Sequence, residues 1–327
     1  PHMTEAPAST PVLQVDDLRI EFPTRQRGRT VKAVNGVSFE VPAGQTFGVI
    51  GESGSGKTTL GRALVGLIRP SGGHLLQGGI DPATLNPRAL RKHRRDFQIM
   101  FQDPNAALNP RMRIIDSVME PLDVAGQRDR AARRAAALQA MTRVGLLPEL
   151  AERYPHQLSG GQKQRVIIAR TLTLKPRLIV CDEVVAALDV SIRGEVLNLF
   201  ADLQREFGLT YVFITHDLSV VAHISDRIAV MYLGCVMELG PAEQLTERPL
   251  HPYTQALLSA EPVALPRSMR ASDRIELEGE IPSPVDPPSG CGFRTRCPRA
   301  TDVCAKLRPE WEERQRDHWV ACHHPLE

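Results

Sequence analysis

The stretch that most restricts what this chain can fold into is GESGSGKT, Gly51 to Thr58, set directly after the apolar run TFGVI (Thr46 to Ile50) and directly before a helix starting near Lys57. It matches G-x-x-x-x-G-K-[ST] in the strand–loop–helix context that the motif requires. Gly51, Gly54 and Gly56 let backbone N–H groups turn inward around phosphate oxygens, and the helix N-terminus adds partial positive charge. Ser53, Ser55 and Thr59 complete the phosphate-facing set; Lys57 reaches the terminal phosphates and Thr58 holds Mg²⁺ through its hydroxyl. The competing reading is a flexible glycine loop opening an ordinary helix, and the full match in context weighs against it.

A P-loop needs a carboxylate at the end of a neighbouring strand. LIVCDE, Leu178 to Glu183, supplies an apolar strand ending in two acids. Asp182 is the expected Mg²⁺ anchor, and Glu183, pointing the other way, is placed to polarise an attacking water. Two acids after a strand also suit a helix N-cap, which would be the better reading without the P-loop.

Around these motifs the pattern is strand–helix alternation: a helix from about Gly161 to Leu174, a strand Leu178 to Cys181, a helix Ser191 to Phe207 and a strand Tyr211 to Ile214. That spacing predicts an α/β fold with a parallel, doubly wound sheet. Val12 to Val41 reads as two or three strands around an Arg-rich turn, TRQRGRT, a β subdomain. Residues from about 88 to 157 read as a mostly helical insertion. After about Gly240 the sequence turns proline-rich and carries four cysteines, so the expected division is 12–240 and 241–327.

At 327 residues the chain has the length of about two domains. Hydrophobic residues at 42%, charged residues at 24% and a mean hydropathy of −0.21 describe a globular protein, and no apolar run reaches the roughly 18 residues of a membrane span. PHMTEAPAST lacks the basic-then-apolar pattern of a signal peptide, and Pro1-His2 ahead of Met3 reads as a cloning remnant, so the expected compartment is the cytoplasm. Forty basic against 38 acidic residues and 5% aromatics argue against nucleic acid as a partner. The basic runs Arg88 to Arg95 and Arg128 to Arg134 read as solvated faces.

LSGGQ, Leu158 to Gln162, opens a second helix with a hydroxyl and free backbone donors. One nucleotide does not need two such termini. LSGGQKQR, placed between the helical insertion and the acid-ended strand, resembles the signature of ABC ATPases. The resemblance implies that Ser159, Gly160, Gly161 and Gln162 act on a γ-phosphate held by the P-loop of a second subunit, with ATP sandwiched in a head-to-tail dimer. It further implies that Gln102 in MFQDP senses Mg²⁺ and couples to the membrane partner, that Asp189 in ALD is the D-loop acid, that His216 in FITHD contacts the γ-phosphate, and that Phe22 in IEFP stacks on adenine. The implied fold is a P-loop, RecA-like ABC ATPase core with an antiparallel β subdomain, a helical subdomain and a cysteine-containing extension.

SGSGKTTLGRALVGL, FQDPNAALNPRM, RYPHQLSGGQKQR, LHPYTQALLSA and PPSGCGFRTRCPRA resemble the ATP-binding subunits of oligopeptide and dipeptide importers, especially the F-type partner of a D/F pair. Such a subunit sits on the cytoplasmic face of the membrane, peripherally, with a D-type ATPase subunit favoured over a homodimer, two transmembrane permease subunits and an extracytoplasmic solute-binding protein. Two positions depart from the family: Val184 where proline is usual and Ala186 where the D-loop has serine. The rival is a soluble ABC ATPase of DNA repair or translation. One ATPase unit, without a zinc-finger insertion or sustained heptads, counts against that rival.

Cys181, in an apolar strand, and Cys235, in YLGCVMEL, read as small buried hydrophobes. Cys291, Cys297, Cys304 and Cys322 are separated by five, six and seventeen residues. Disulfides are disfavoured in a reducing compartment. Four thiolates suit zinc or a [4Fe–4S] cluster, which spacing does not separate, and free thiols remain the alternative. The family's C-terminal motif implies [4Fe–4S].

Overall fold

The computed structural model describes residues 11–24, 28–260 and 275–327. Residues 1–10, with the Pro1-His2 pair, and part of the Arg-rich turn (25–27) lie outside them.

Strands β1 (Leu13–Pro23) and β2 (Thr30–Val41) form an antiparallel hairpin. β3 (Thr46–Ile50) then runs through the glycine loop into α1 (Lys57–Leu64), and β4 (Gly72–Gln77) returns to pair with β1. A mostly helical stretch follows: α2 (Pro87–His93), the short strand β5 (Phe97–Met100), α3 (Pro104–Ala107), α4 (Ile114–Val124), α5 (Arg130–Arg143) and α6 (Gly160–Leu172). Alternation resumes with β6 (Leu178–Asp182), α7 (Val190–Phe207), β7 (Thr210–Thr215), α8 (Leu218–Ile224), β8 (Arg227–Tyr232) and β9 (Cys235–Pro241). The remainder holds α9 (Ala242–Glu247), α10 (Pro252–Ala260), α11 (Asp302–Lys306), β10 (Glu312–Gln315) and β11 (His318–Val320).

Two sheets result, a three-stranded one ordered β2-β1-β4 and an eight-stranded one ordered β10-β11-β9-β8-β3-β7-β6-β5. In the larger, β8, β3, β7, β6 and β5 are parallel. Every residue of β3, β6 and β7 is buried, which is why these strands read as continuous apolar runs: helices and the small sheet cover both faces. The parallel centre brings the C-terminal ends of β3, β6 and β7 to one edge, where ligands of open α/β sheets bind.

The extension is not a free-standing unit. β11 pairs antiparallel with β9, Trp319 opposite Leu239 and Val320 opposite Glu238, so the chain's last strands continue the central sheet. Beneath that junction Glu238, fully buried, accepts from the Leu250 N–H (2.7 Å) and the His251 N–H (2.9 Å) and pairs with His318 Nε2 (2.7 Å). Val184 is buried in the core at 3% exposure.

Candidate nucleotide site

The loop between β3 and α1 takes its shape from its glycines. Gly54 (φ 80°) and Gly56 (φ 100°) occupy backbone conformations that side chains disfavour, and a Cβ on Gly56 would overlap the Ala33 carbonyl oxygen. Gly51 is closed in by the Met231 carbonyl in the same way. Lys57 folds back into the loop, donating to the carbonyls of Gly51 (2.6 Å) and Glu52 (2.8 Å) and to Ser55 Oγ (3.4 Å). Burial lowers its pKa, and the nearby carboxylates of Glu183, Asp182 and Glu52 oppose that shift.

Thr58 Oγ1 donates to Asp182 Oδ1 at 3.1 Å, joining the first turn of α1 to the end of β6. Burial raises the Asp182 pKa, and the Thr58 hydrogen bond counters it. A hydroxyl and a carboxylate side by side form a hard oxygen pair that fits Mg²⁺. Glu183 adopts a left-handed backbone (φ 54°) and donates its N–H to the Ile214 carbonyl at 2.8 Å. This turns it away from Asp182, and its Oε1 lies 3.2 Å from Nδ1 of His216, the residue after β7. The acid and the imidazole therefore meet at the ends of two neighbouring parallel strands.

A cleft of about 320 Å³ covers the loop, lined by Ser53, Gly54, Gly56, Lys57, Thr58 and Thr59 together with Glu183, and by Phe22 and Val31 from the small sheet. Phe22 is 38% exposed and stands at the cleft. Gly51 and Ser55 are buried underneath. Not brought to this cleft are Gln102, which is exposed after β5, and Asp189, which is exposed ahead of α7. Ser159, Gly160, Gly161 and Gln162 also lie elsewhere, at the start of α6, where Ser159 and Gln162 form a reciprocal capping box: Ser159 Oγ accepts from the Gln162 N–H (3.2 Å), and Gln162 Oε1 accepts from the Ser159 N–H (3.0 Å).

Three contributors went unnoticed in the sequence. Pro284 of the extension lines the cleft, and its carbonyl accepts from the Lys32 N–H at 3.2 Å. Arg296 and Tyr253 hold Glu52, inside the loop itself. Their only sequence signals were the HPYT segment around Tyr253 and the position of Arg296 next to Cys297.

Of the four C-terminal cysteines, Cys291 and Cys304 are buried and Cys297 and Cys322 half-buried, all as free thiols. Burial, with a smaller contribution from the other three cysteines, pushes the Cys322 thiol up to about 11 against the His324 N–H that points at its sulfur. Cys291 and Cys297 are likewise raised by burial. Among the described residues no group of three or more His, Cys, Asp or Glu side chains is arranged to hold a metal, so the geometry gives no support to the expected [4Fe–4S] cluster or to zinc.

Residues 34–186 match the ABC transporter family, and residues 237–304 match the C-terminal region of oligopeptide/dipeptide transporters. Over 327 aligned residues the chain is 49% identical to the oligopeptide transport ATP-binding protein AppF of Bacillus subtilis, covering 98% of this chain and 99% of that one. It is 47% identical to OppF of Haemophilus influenzae, covering 95% and 96%. Among solved structures, cbiO1 from Clostridium perfringens, part of the ABC transporter complex cbiONQ, superposes with a TM-score of 0.65 at 27% identity over 72% of this chain and 91% of that one. The ATP-binding cassette MJ0796, a dimer in a post-hydrolysis state with ADP and Pi, gives 0.63 at 29% identity over 70% and 98%. With both family matches in chain order and relatives 47–49% identical over nearly its whole length, the chain belongs to the ABC ATPases, in the family of oligopeptide and dipeptide transport ATP-binding proteins.

Proposed function

We propose that this chain is the ATP-hydrolysing subunit that powers import of dipeptides, oligopeptides or a related small solute through separate permease subunits. The observation that carries the reading is the convergence of Thr58 with Asp182 and of Glu183 with His216 at one edge of the sheet, beside the P-loop. The near-full-length relatives named for oligopeptide transport favour it over a soluble role in DNA repair or translation.

In this reading Phe22 stacks on adenine, the loop amides and Lys57 bind the phosphates, and Thr58 and Asp182 would hold Mg²⁺, which would supply charge neutralisation for the phosphates. Glu183 takes a proton from the attacking water, and His216 orients that carboxylate from 3.2 Å. Ser159, Gly160, Gly161, Gln162 and Asp189 serve the γ-phosphate bound to a second ATPase subunit, which agrees with their lying away from the cleft of their own chain. The F-type likeness favours a D-type partner.

No helix among the described residues is long and apolar enough to cross a membrane. We place the chain on the cytoplasmic face, docked to two permease subunits through the groove of about 610 Å³ beside Gln102, which Phe101, Glu120, Pro121 and Ile167 help to line, with an extracytoplasmic protein choosing the solute. The domain reading follows: an ATPase unit over 12–240 with its helical part at about 88–157, and the extension from 241.

Backbone N–H groups point at the sulfurs of Cys291, Cys297 and Cys322. Those donors would stabilise thiolates if the four cysteines held a [4Fe–4S] cluster, which would supply a structural cross-link to the extension. About four irons per chain in anaerobically purified protein, lost in Cys297→Ser, is the expected result; stoichiometric zinc would replace the reading.

Glu183→Gln tests the catalytic assignment. The amide keeps the shape but cannot accept the proton, so hydrolysis should fall by about 10² to 10⁴ while MgATP still binds. Hydrolysis at the parent rate would remove Glu183 from the mechanism.

A further inference from the structure

Glu52 occupies a variable position of the P-loop motif, and every polar group it has is engaged. Its carbonyl oxygen accepts from Lys57 Nζ (2.8 Å) and the Ser55 N–H (3.2 Å), contacts internal to the loop. Its other groups are held by the extension. The Glu52 N–H donates to Tyr253 Oη at 2.9 Å. Its carboxylate takes a two-pronged grip from Arg296, with Nη1 at 2.6 Å from Oε2 and Nη2 at 3.1 Å from Oε1. The Arg296 side chain is only 7% exposed, and its guanidinium lies 5.9 Å from the Tyr232 ring centroid.

Both gripping residues are themselves immobilised. Tyr253 donates its N–H to Nδ1 of the buried His251 at 3.0 Å. Arg296 donates its N–H to the Phe293 carbonyl, at the end of a turn that begins at Cys291. Phe293, fully buried, packs its ring 5.3 Å from that of Tyr232 and 5.2 Å from that of Tyr253. The cysteine-bearing turn thus docks in an aromatic nest on β8 and α10 and reaches from there into the nucleotide loop. Paired guanidinium–carboxylate contacts of this kind fix direction as well as distance.

We propose that Arg296, seconded by Tyr253, is a positioning residue for the P-loop: the cysteine-bearing extension holds the loop in its phosphate-binding shape and so sets nucleotide affinity. The proposal rests on the reading that ATP occupies this loop. Releasing Glu52 lets the loop sample shapes in which Lys57 and the amides no longer face phosphate, and apparent affinity falls in proportion to the competent fraction. The coupling is reciprocal, so bound nucleotide firms the turn around Cys291 to Cys297.

The test is MgATP affinity by calorimetry on the full chain, for the parent, Arg296→Ala, Arg296→Lys, Glu52→Gln and the Arg296→Ala/Glu52→Gln double variant. A competent fraction reduced to about a tenth raises the dissociation constant about tenfold in each of Arg296→Ala and Glu52→Gln. The double variant should be no weaker than either single, since both remove the same contact. Lysine keeps the charge without the fork and should recover part of the loss. Glu52→Gln preserves side-chain shape, so it answers the question even where Arg296→Ala fails to fold. Amide exchange over 291–297 should slow with MgATP in the parent and not in Glu52→Gln. Parent affinity in both folded single variants, or losses that multiply in the double, would overturn the proposal alone; a parent that does not bind MgATP would remove the nucleotide reading and the proposal with it.

Discussion

His251 lies at the hinge between the ATPase sheet and the extension and should make the fold sensitive to mild acid. It is 1% exposed, its Nδ1 accepts from the Tyr253 N–H, and its Nε2 has no hydrogen-bond partner among the described residues. Burial lowers its pKa from 6.5 to about 3. The Glu238 carboxylate, engaged by the Leu250 and His251 N–H groups and by His318, is directed at the backbone of His251. A histidine whose folded pKa is depressed contributes stability that is complete above its unfolded pKa and is lost as pH falls below it, because the unfolded chain takes up a proton that the folded one refuses. From about pH 7.5 to about pH 5 the unfolded imidazole becomes almost fully charged while the folded one stays neutral, which removes about 2 kcal/mol. That figure barely depends on where below about 4 the folded value lies, since at pH 5 the folded ring is neutral in either case. The chain's two tryptophans, Trp311 and Trp319, both belong to the extension and stack 6.4 Å apart, so their emission reports its unfolding. With a urea slope of about 2 kcal/mol per molar, the parent's midpoint should drop about 1 M further than that of His251→Asn over this pH interval. Asparagine keeps an acceptor for Tyr253 and does not titrate. Parallel midpoint shifts in the two proteins would refute the buried, neutral imidazole.

Gly56→Ala should abolish MgATP binding in calorimetry and lower the melting temperature, because the new Cβ meets the Ala33 carbonyl at a left-handed φ; a variant that binds normally would show that the loop tolerates another shape. Phe22→Ala should weaken ATP by about fivefold to tenfold through loss of a stacking surface worth about 1 kcal/mol or slightly more, with little effect on inorganic triphosphate. Equal losses for both ligands would remove the adenine contact.

The P-loop and the acid-ended strand were legible in the sequence because their chemistry is written in contiguous backbone. Glycines at Gly54 and Gly56 permit one local conformation, and apolar runs such as TFGVI and LIVCD can only be strands buried on both faces. Helix and strand limits came out within a residue or two for the same reason: α6 begins at Gly160 and β7 ends at Thr215, close to the expected limits. The short edge strands β4 and β10 escaped notice because exposed faces carry little periodic signal, β10 being exposed throughout, and β11 because three residues are too few to show a period. Tertiary structure alone decided the pairings. Thr58 meets Asp182 across 124 residues and Glu183 meets His216 across 33, because parallel strands must bring their C-terminal ends to one edge. Least legible was the hold of Tyr253 and Arg296 on Glu52, over 201 and 244 residues. An arginine beside a cysteine and a glutamate at a variable motif position have no local pattern in common, and only the docking of Phe293 against Tyr232 and Tyr253 brings that arginine to that carboxylate.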